Sequence, residues 1–292
     1  MPAFSDRYWN SPDGLKLHYR DYDGPHDRPP ILCIPGLTRN ARDFEPVAER
    51  FAGAWRVIAV DLRGRGLSEY DPDKMNYAPP VYVGDLLKFL DQLGIADAVF
   101  VGTSLGGIVT MVMALQDSER MAGVLLNDIG PELAQAGLDR IGGYVGQTGA
   151  FAEWSAVTRS LIERNLDVYP GYGPADWDRF ARRLAVEKNG KIGFDYDPGI
   201  AVGFAAAADA PPLSIWPYYE ALAGRPVTIL RGALSDLFAP EVAERMANAI
   251  PDVELVTVPN VGHAPALDEP ESIAAIERLL ERVLAHINAS DG

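Results

Sequence analysis

The segment Gly102-Thr103-Ser104-Leu105-Gly106 constrains this chain more than any other. Before it runs Ala98-Val99-Phe100-Val101, a β-branched and aromatic stretch that reads as a buried strand. After it runs Gly107 to Leu115, apolar and long enough for a buried helix. A serine between a strand and a helix, with glycines two residues away on both sides, is the context of a sharp elbow that exposes a hydroxyl. Such a turn strains the serine backbone, and glycines let the flanking backbones approach closely. The hydroxyl is then held at the tip of a sheet, where the next helix aims its first N–H groups.

A lone serine hydroxyl is a poor nucleophile and needs a base and a group that orients the base. The C-terminal third offers both. Pro226 to Leu230 reads as a strand followed by Arg231 to Asp236, and Val253 to Val258 as another followed by Pro259 to His263. The order is therefore Ser104, Asp236, His263, each just beyond a strand, where the ligand sites of open α/β sheets lie. Of the four histidines, His18 falls in a strand-like segment, His26 in a Pro-rich loop and His286 near the C-terminus. Only His263 stands in a Gly-His loop after a buried strand.

These segments resemble the α/β-hydrolase fold superfamily, in its branch of esterases and lactone or C–C hydrolases. The resemblance covers nearly the whole chain outside a middle segment. It rests on Ile34-Pro35-Gly36-Leu37, Asp61 to Ser68 (DLRGRGLS), the elbow, Ser235-Asp236 and Gly262-His263-Ala264-Pro265. It implies an α/β fold with an eight-stranded, mostly parallel sheet, helices on both faces and an inserted helical cap. It also implies a Ser104-Asp236-His263 triad, with an oxyanion hole from the backbone N–H groups of Leu37 and Leu105. One departure is Pro35-Gly36, where the superfamily usually has His-Gly and a histidine that props the nearby loops. Asp128, in Leu125-Leu126-Asn127-Asp128-Ile129-Gly130, is a rival acid at a position some members use, its other reading being a cap for the insertion. Asp236 is favoured because its strand, loop and spacing to His263 fit the commoner pattern. Arg39 and Asn40 are candidates for reading a substrate carboxylate, against the plainer reading of a solvated arginine.

Along the chain, Leu15 to Arg20 alternates like a half-exposed edge strand, and Pro30 to Ile34 and Arg56 to Val60 suit parallel strands buried on both faces. Phe44, Val47, Ala48 and Phe51 recur at helical spacing, as do Leu86, Leu87, Phe89, Leu90 and Leu93 before Gly94. Val124-Leu125-Leu126 is a sixth strand, and a helix over Glu241 to Ile250 and another from Pro270 complete the pattern. The expected domains are a core of residues 1–130 and 213–292 and a cap of residues 131–212. The cap segment is crowded with aromatics, which together imply a mainly apolar pocket, with Trp154 and Trp177 as candidate lining residues, although for any single aromatic packing the cap onto the core is the plainer reading.

With 292 residues, 48% of them apolar, the chain can build one large domain carrying an insertion. A net charge of −15 argues against nucleic acid, and no basic run suggests a membrane anchor. The first residues lack the apolar run of a signal peptide, and the single cysteine, Cys33, reads as a buried small hydrophobe, so a cytoplasmic enzyme is expected. No metal-ligand string or phosphate-binding loop is present, so neither a metal nor a nucleotide cofactor is implied. The expected partner is a small-molecule substrate. Hydrolysis of an ester or lactone through an acyl-serine leads. The resemblance also admits C–C hydrolysis of ring-cleavage dienones, cofactor-free peroxidation, hydroxynitrile lysis and a non-enzymatic small-molecule receptor.

Overall fold

A computed structural model of the protein describes residues 2–209 and 214–290. The core-to-cap boundary expected at 212/213 lies outside the described residues. The first half contains β1 (Phe4–Asn10), β2 (Lys16–Tyr22), β3 (Ile31–Ile34), α1 (Glu45–Phe51), β4 (Val57–Val60), α2 (Pro79–Leu93), β5 (Ala98–Thr103), α3 (Leu105–Asp117) and β6 (Met121–Asn127). An insertion follows, with α4 (Gln135–Gly142), α5 (Trp154–Asn165), α6 (Pro174–Leu184), β7 (Ala185–Lys188), β8 (Lys191–Phe194) and α7 (Ile200–Asp209). The chain returns through α8 (Trp216–Glu220), β9 (Val227–Gly232), α9 (Pro240–Ala249), β10 (Val253–Val258) and α10 (Pro270–Ser290).

Eight strands form one sheet in the order β1-β2-β4-β3-β5-β6-β9-β10, antiparallel at β1/β2 and β2/β4 and parallel from β4 onward. The expected eight-stranded, mostly parallel sheet is present. Period-two alternation explains its unbroken apolar strands. Leu32, Ile34 and Phe100 face one core layer, while Ile31, Cys33, Val99 and Val101 face the other. The Cys33 side chain is wholly buried, and desolvation pushes its thiol pKa up, as expected of an inert hydrophobe. Leu15 to Arg20 is not the edge. β2 lies between β1 and β4, and the edge is β1, mostly exposed along Phe4–Asn10. Helix α2 ends at Gly94 in the left-handed conformation (φ +63°), and its N–H returns to the carbonyls of Leu90 and Asp91.

The insertion is not purely helical, because β7 and β8 pair as a small antiparallel hairpin. Polar ties bind it to the core. Arg42 bonds the Arg183 carbonyl and the Asp195 carboxylate, and Lys74 and Tyr77 both bond Asp197. Both aspartates are buried, so each tie satisfies a charge that burial alone would penalise. Among the described residues, no helix is long and apolar enough to cross a membrane.

Candidate active site

Ser104 joins β5 to α3 with φ +52° and ψ −114°, in the region L side chains rarely adopt. The glycines around it are required sterically. A Cβ on Gly102 would stand 2.7 Å from the Gly106 backbone, and one on Gly106 would stand 2.1 Å from the Ile34 carbonyl oxygen. Neither position can carry a larger residue without opening the turn. Leu105 is the first residue of α3, so its N–H has no partner within the helix.

The Ser104 Oγ lies 2.9 Å from His263 Nε2, and His263 Nδ1 lies 2.8 Å from Asp128 Oδ2. The carboxylate accepts the Nδ1 proton, which leaves Nε2 as the acceptor for the serine hydroxyl. The acid beside the imidazole is therefore Asp128, and the pairing of His263 with Asp236 expected from the sequence is not formed. Asp128 is fully buried just past β6, with φ +54°. Its Oδ1 accepts the Gly232 N–H at 2.7 Å, and its Oδ2 also accepts the Ser235 hydroxyl at 2.6 Å. Three donors thus compensate its desolvation without a cation.

Asp236 faces another way. Its carboxylate takes a bidentate pair from Arg140 of α4, at 2.5 and 2.7 Å, and that guanidinium holds its carboxyl below the usual carboxylate range. Ser235, beside it, turns its hydroxyl to Asp128 and accepts the N–H groups of Leu237 and Phe238. The Ser235-Asp236 segment thus serves the site through its serine. The His263 loop is fastened from both sides. Asn127 Nδ2 donates to the Pro265 carbonyl, Tyr169 of the insertion donates to the Ala264 carbonyl, and the Gly262 N–H reaches Val168.

The loop after β3 brings Gly36 against the serine, since a Cβ there would lie 3.7 Å from the Ser104 Cβ. The expected donor Leu37 lies in this loop, and its carbonyl accepts the Nε of Arg65 at 2.7 Å. Arg65 is wholly buried, bonds the Arg63 carbonyl and Tyr82, and stacks over the Tyr82 ring. It braces the loop through the Leu37 carbonyl. Through Arg65 the run from Asp61 to Ser68 is tied to the loop that carries Leu37. Arg63 is held by Asp13, Asp71 and Asp85 and anchors that run from beneath. His18 is also structural, with its ring between Asp61 and Asp6.

Ser104 and His263 open onto a cavity of about 120 Å³ between the strand-end loops and the insertion. That is less than the roughly 150 Å³ that accepts a benzene molecule, so it suits a short acyl group. Leu161, Leu184 and Phe194 give it apolar walls, and Tyr144, Tyr169 and Tyr196 add hydroxyls. Burial pushes Tyr196 up to about 12 and Tyr144 and Tyr169 upward, so these rings are neutral donors near pH 7. Arg39 lines the cavity, but Asp43 grips it at 2.5 and 2.7 Å and the guanidinium lies 4.6 Å over the Phe180 ring. Asn40 is buried and bonds the Arg183 carbonyl, so it is a tie to the insertion.

Trp154 and Trp177 are absent from the cavity wall. Trp177 packs with Tyr169, Tyr172 and Phe180 and is 3% exposed, while Arg182 covers the ring of Trp154. Truncating Trp177 to alanine is expected to lower unfolding stability by about 3 kcal/mol, read from denaturant melts. A change in acyl preference without that loss of stability would return Trp177 to the pocket wall. The wall instead includes Arg140 and Arg164, which no local sequence signal singled out.

Residues 31–276 match the Alpha/beta hydrolase family. A 3-hydroxybutyrate-oligomer hydrolase of Cupriavidus necator is 34% identical over 273 residues, 90% of this chain and 92% of that protein. A 2-(acetamidomethylene)succinate hydrolase of Mesorhizobium japonicum is 28% identical over 87% of this chain and 88% of its own. The crystal structure of an alpha/beta hydrolase from Novosphingobium aromaticivorans superposes with a TM-score of 0.92 at 52% identity, covering 97% of this chain and 99% of that one.

Proposed function

The chain belongs to the Alpha/beta hydrolase family, and on that premise we propose that it hydrolyses a carboxylic ester or lactone of a small acid through an acyl-serine intermediate. The observation that carries this reading is the unbroken line from Ser104 Oγ through the His263 ring to the buried Asp128 carboxylate. His263 Nε2 takes the serine proton as Oγ attacks the substrate carbonyl carbon. Asp128 fixes the tautomer and stabilises the imidazolium that results. The charge gathering on the carbonyl oxygen meets the N–H groups of Leu37 and Leu105. Collapse of the tetrahedral intermediate breaks the ester C–O bond, and His263 returns the proton to the leaving alkoxide. Water, deprotonated by the same imidazole, then attacks the acyl-serine and releases the acid.

A short, partly polar cavity supports short hydroxy acids over long fatty chains as the acyl part. The relative from Cupriavidus necator is named for oligomers of 3-hydroxybutyrate, which are linear esters of such an acid. The test pairs labelling with turnover. A fluorophosphonate is expected to modify Ser104, and short p-nitrophenyl esters and the 3-hydroxybutyrate dimer to be turned over many times per enzyme. Binding of these esters without repeated turnover would mark the protein as a receptor. Preference for a ring-cleavage dienone over every ester would move it to C–C hydrolysis.

A further inference from the structure

The cavity wall carries an imbalance of charge that ester hydrolysis does not use. Arg39, Arg140 and Arg164 line it, against the single carboxylate of Asp43, in a chain whose net charge is −15. Arg39 and Asp43 neutralise one another. Arg140 is paired with Asp236, but a bidentate carboxylate engages two of its five donors. Arg164, on α5, pairs with no carboxylate among the described residues. Its Nη2 donates to the neutral Gln147 Oε1 at 3.1 Å, and its guanidinium stands 6.0 Å from the Phe194 ring centroid. Gln147 in turn accepts the Tyr196 hydroxyl through its carbonyl, so the segment that orients Arg164 is itself fixed to the cavity wall.

We propose that Arg164, backed by Arg140, is a carboxylate subsite, and that the enzyme selects short esters bearing a free carboxylate at the end away from the scissile bond. The proposal rests on the esterase reading of the same cavity. An uncompensated guanidinium at the mouth of a cleft focuses field lines and draws anions that the rest of this acidic surface repels. The planar fork matches a carboxylate in two parallel hydrogen bonds, which a surface lysine would not do. The neutral hydroxyl of Tyr144 adds a donor without adding a competing negative charge. Neutral esters of the same length forgo these contacts and leave the arginine to water.

The test measures binding to Ser104→Ala protein, so that it does not depend on turnover. The linear dimer of 3-hydroxybutyrate is titrated calorimetrically as the free acid and as its methyl ester. The acid is expected to bind at least about tenfold more tightly, in line with a charge-assisted hydrogen bond. Adding Arg164→Gln is expected to cut that advantage about tenfold, and Arg164→Lys to keep part of it. Equal affinities for acid and methyl ester, or an advantage untouched by Arg164→Gln, would overturn the subsite. Wild-type turnover of the dimer, as free acid and as methyl ester, reports on the esterase reading separately. Failure to turn over the acid as well, beside a persisting binding preference for it, would sink that reading and leave the subsite standing.

Discussion

Ser104→Ala is expected to leave a folded protein whose ester turnover falls by about a thousandfold or more. The fold should survive because the side chain's recorded contact is one hydrogen bond, to His263. Losing such a bond costs on the order of 1 kcal/mol, against a total stability of about 5–15 kcal/mol. Alanine keeps the Cβ that the left-handed backbone at φ +52° already tolerates, so the elbow gains no new strain. What is lost is the oxygen that forms the acyl bond in the proposed mechanism. His263→Ala should fall into the same class. The double variant should be little worse than either single one, because the pair acts as a unit. Steady-state turnover of a p-nitrophenyl ester, with circular dichroism as the control for folding, reads all three. Retained turnover in Ser104→Ala, or fluorophosphonate labelling at another residue, would remove the serine from its role.

Much of this site was legible because its constraints are local. The elbow needs small residues at fixed offsets from Ser104, and the overlap a Cβ would make at Gly102 and Gly106 shows why the string reads so plainly. His263 was legible by elimination, since it alone of the four stands in a Gly-His loop after a strand, and His18 is held between Asp61 and Asp6. The acid was not legible. β6 and β9 are neighbours in the sheet, so Asp128 and Asp236 leave adjacent strand ends and both can approach the imidazole. What separates them is Arg140, 96 residues from Asp236, which draws that carboxylate toward the insertion. The left-handed backbone at Asp128 is the other half of the answer, and aspartate enters that region without announcing it. Insertion aromatics do line the cavity, Tyr144, Tyr169, Phe194 and Tyr196 among them, but the two tryptophans singled out do not, for a similar reason. Helical spacing places Trp177, Phe180 and Ala181 on one buried face of α6, but it cannot say whether that face meets a cavity or another side chain. The cavity's charge comes from α4 and α5, whose arginines look like solvated helix residues until the chain is folded.

Asp128→Asn is expected to lower turnover by about ten-thousandfold, while Asp236→Asn should cost less than about tenfold. The asymmetry follows from which proton each carboxylate controls. Asp128 accepts the His263 Nδ1 proton at 2.8 Å, so Nε2 is left bare toward Ser104. An asparagine amide turned to donate to that nitrogen would drive the proton to Nε2, where it blocks removal of the serine proton. The alternative rotamer keeps the oxygen toward His263 and the Ser235 hydroxyl, but turns the amide toward the Gly232 N–H, a donor against a donor. Either choice damages the base, and neither leaves a negative charge to stabilise the imidazolium. Asp236→Asn removes a half-exposed pair with Arg140 and touches none of those atoms. Both variants keep side-chain volume, so kcat at matched folded fraction compares them fairly. A loss in Asp236→Asn equal to that in Asp128→Asn would mean that the insertion loop rearranges during turnover and hands the imidazole to Asp236. Arg140→Gln, which releases that carboxylate, would then raise activity in the Asp128→Asn background, whereas the resting geometry predicts no rescue.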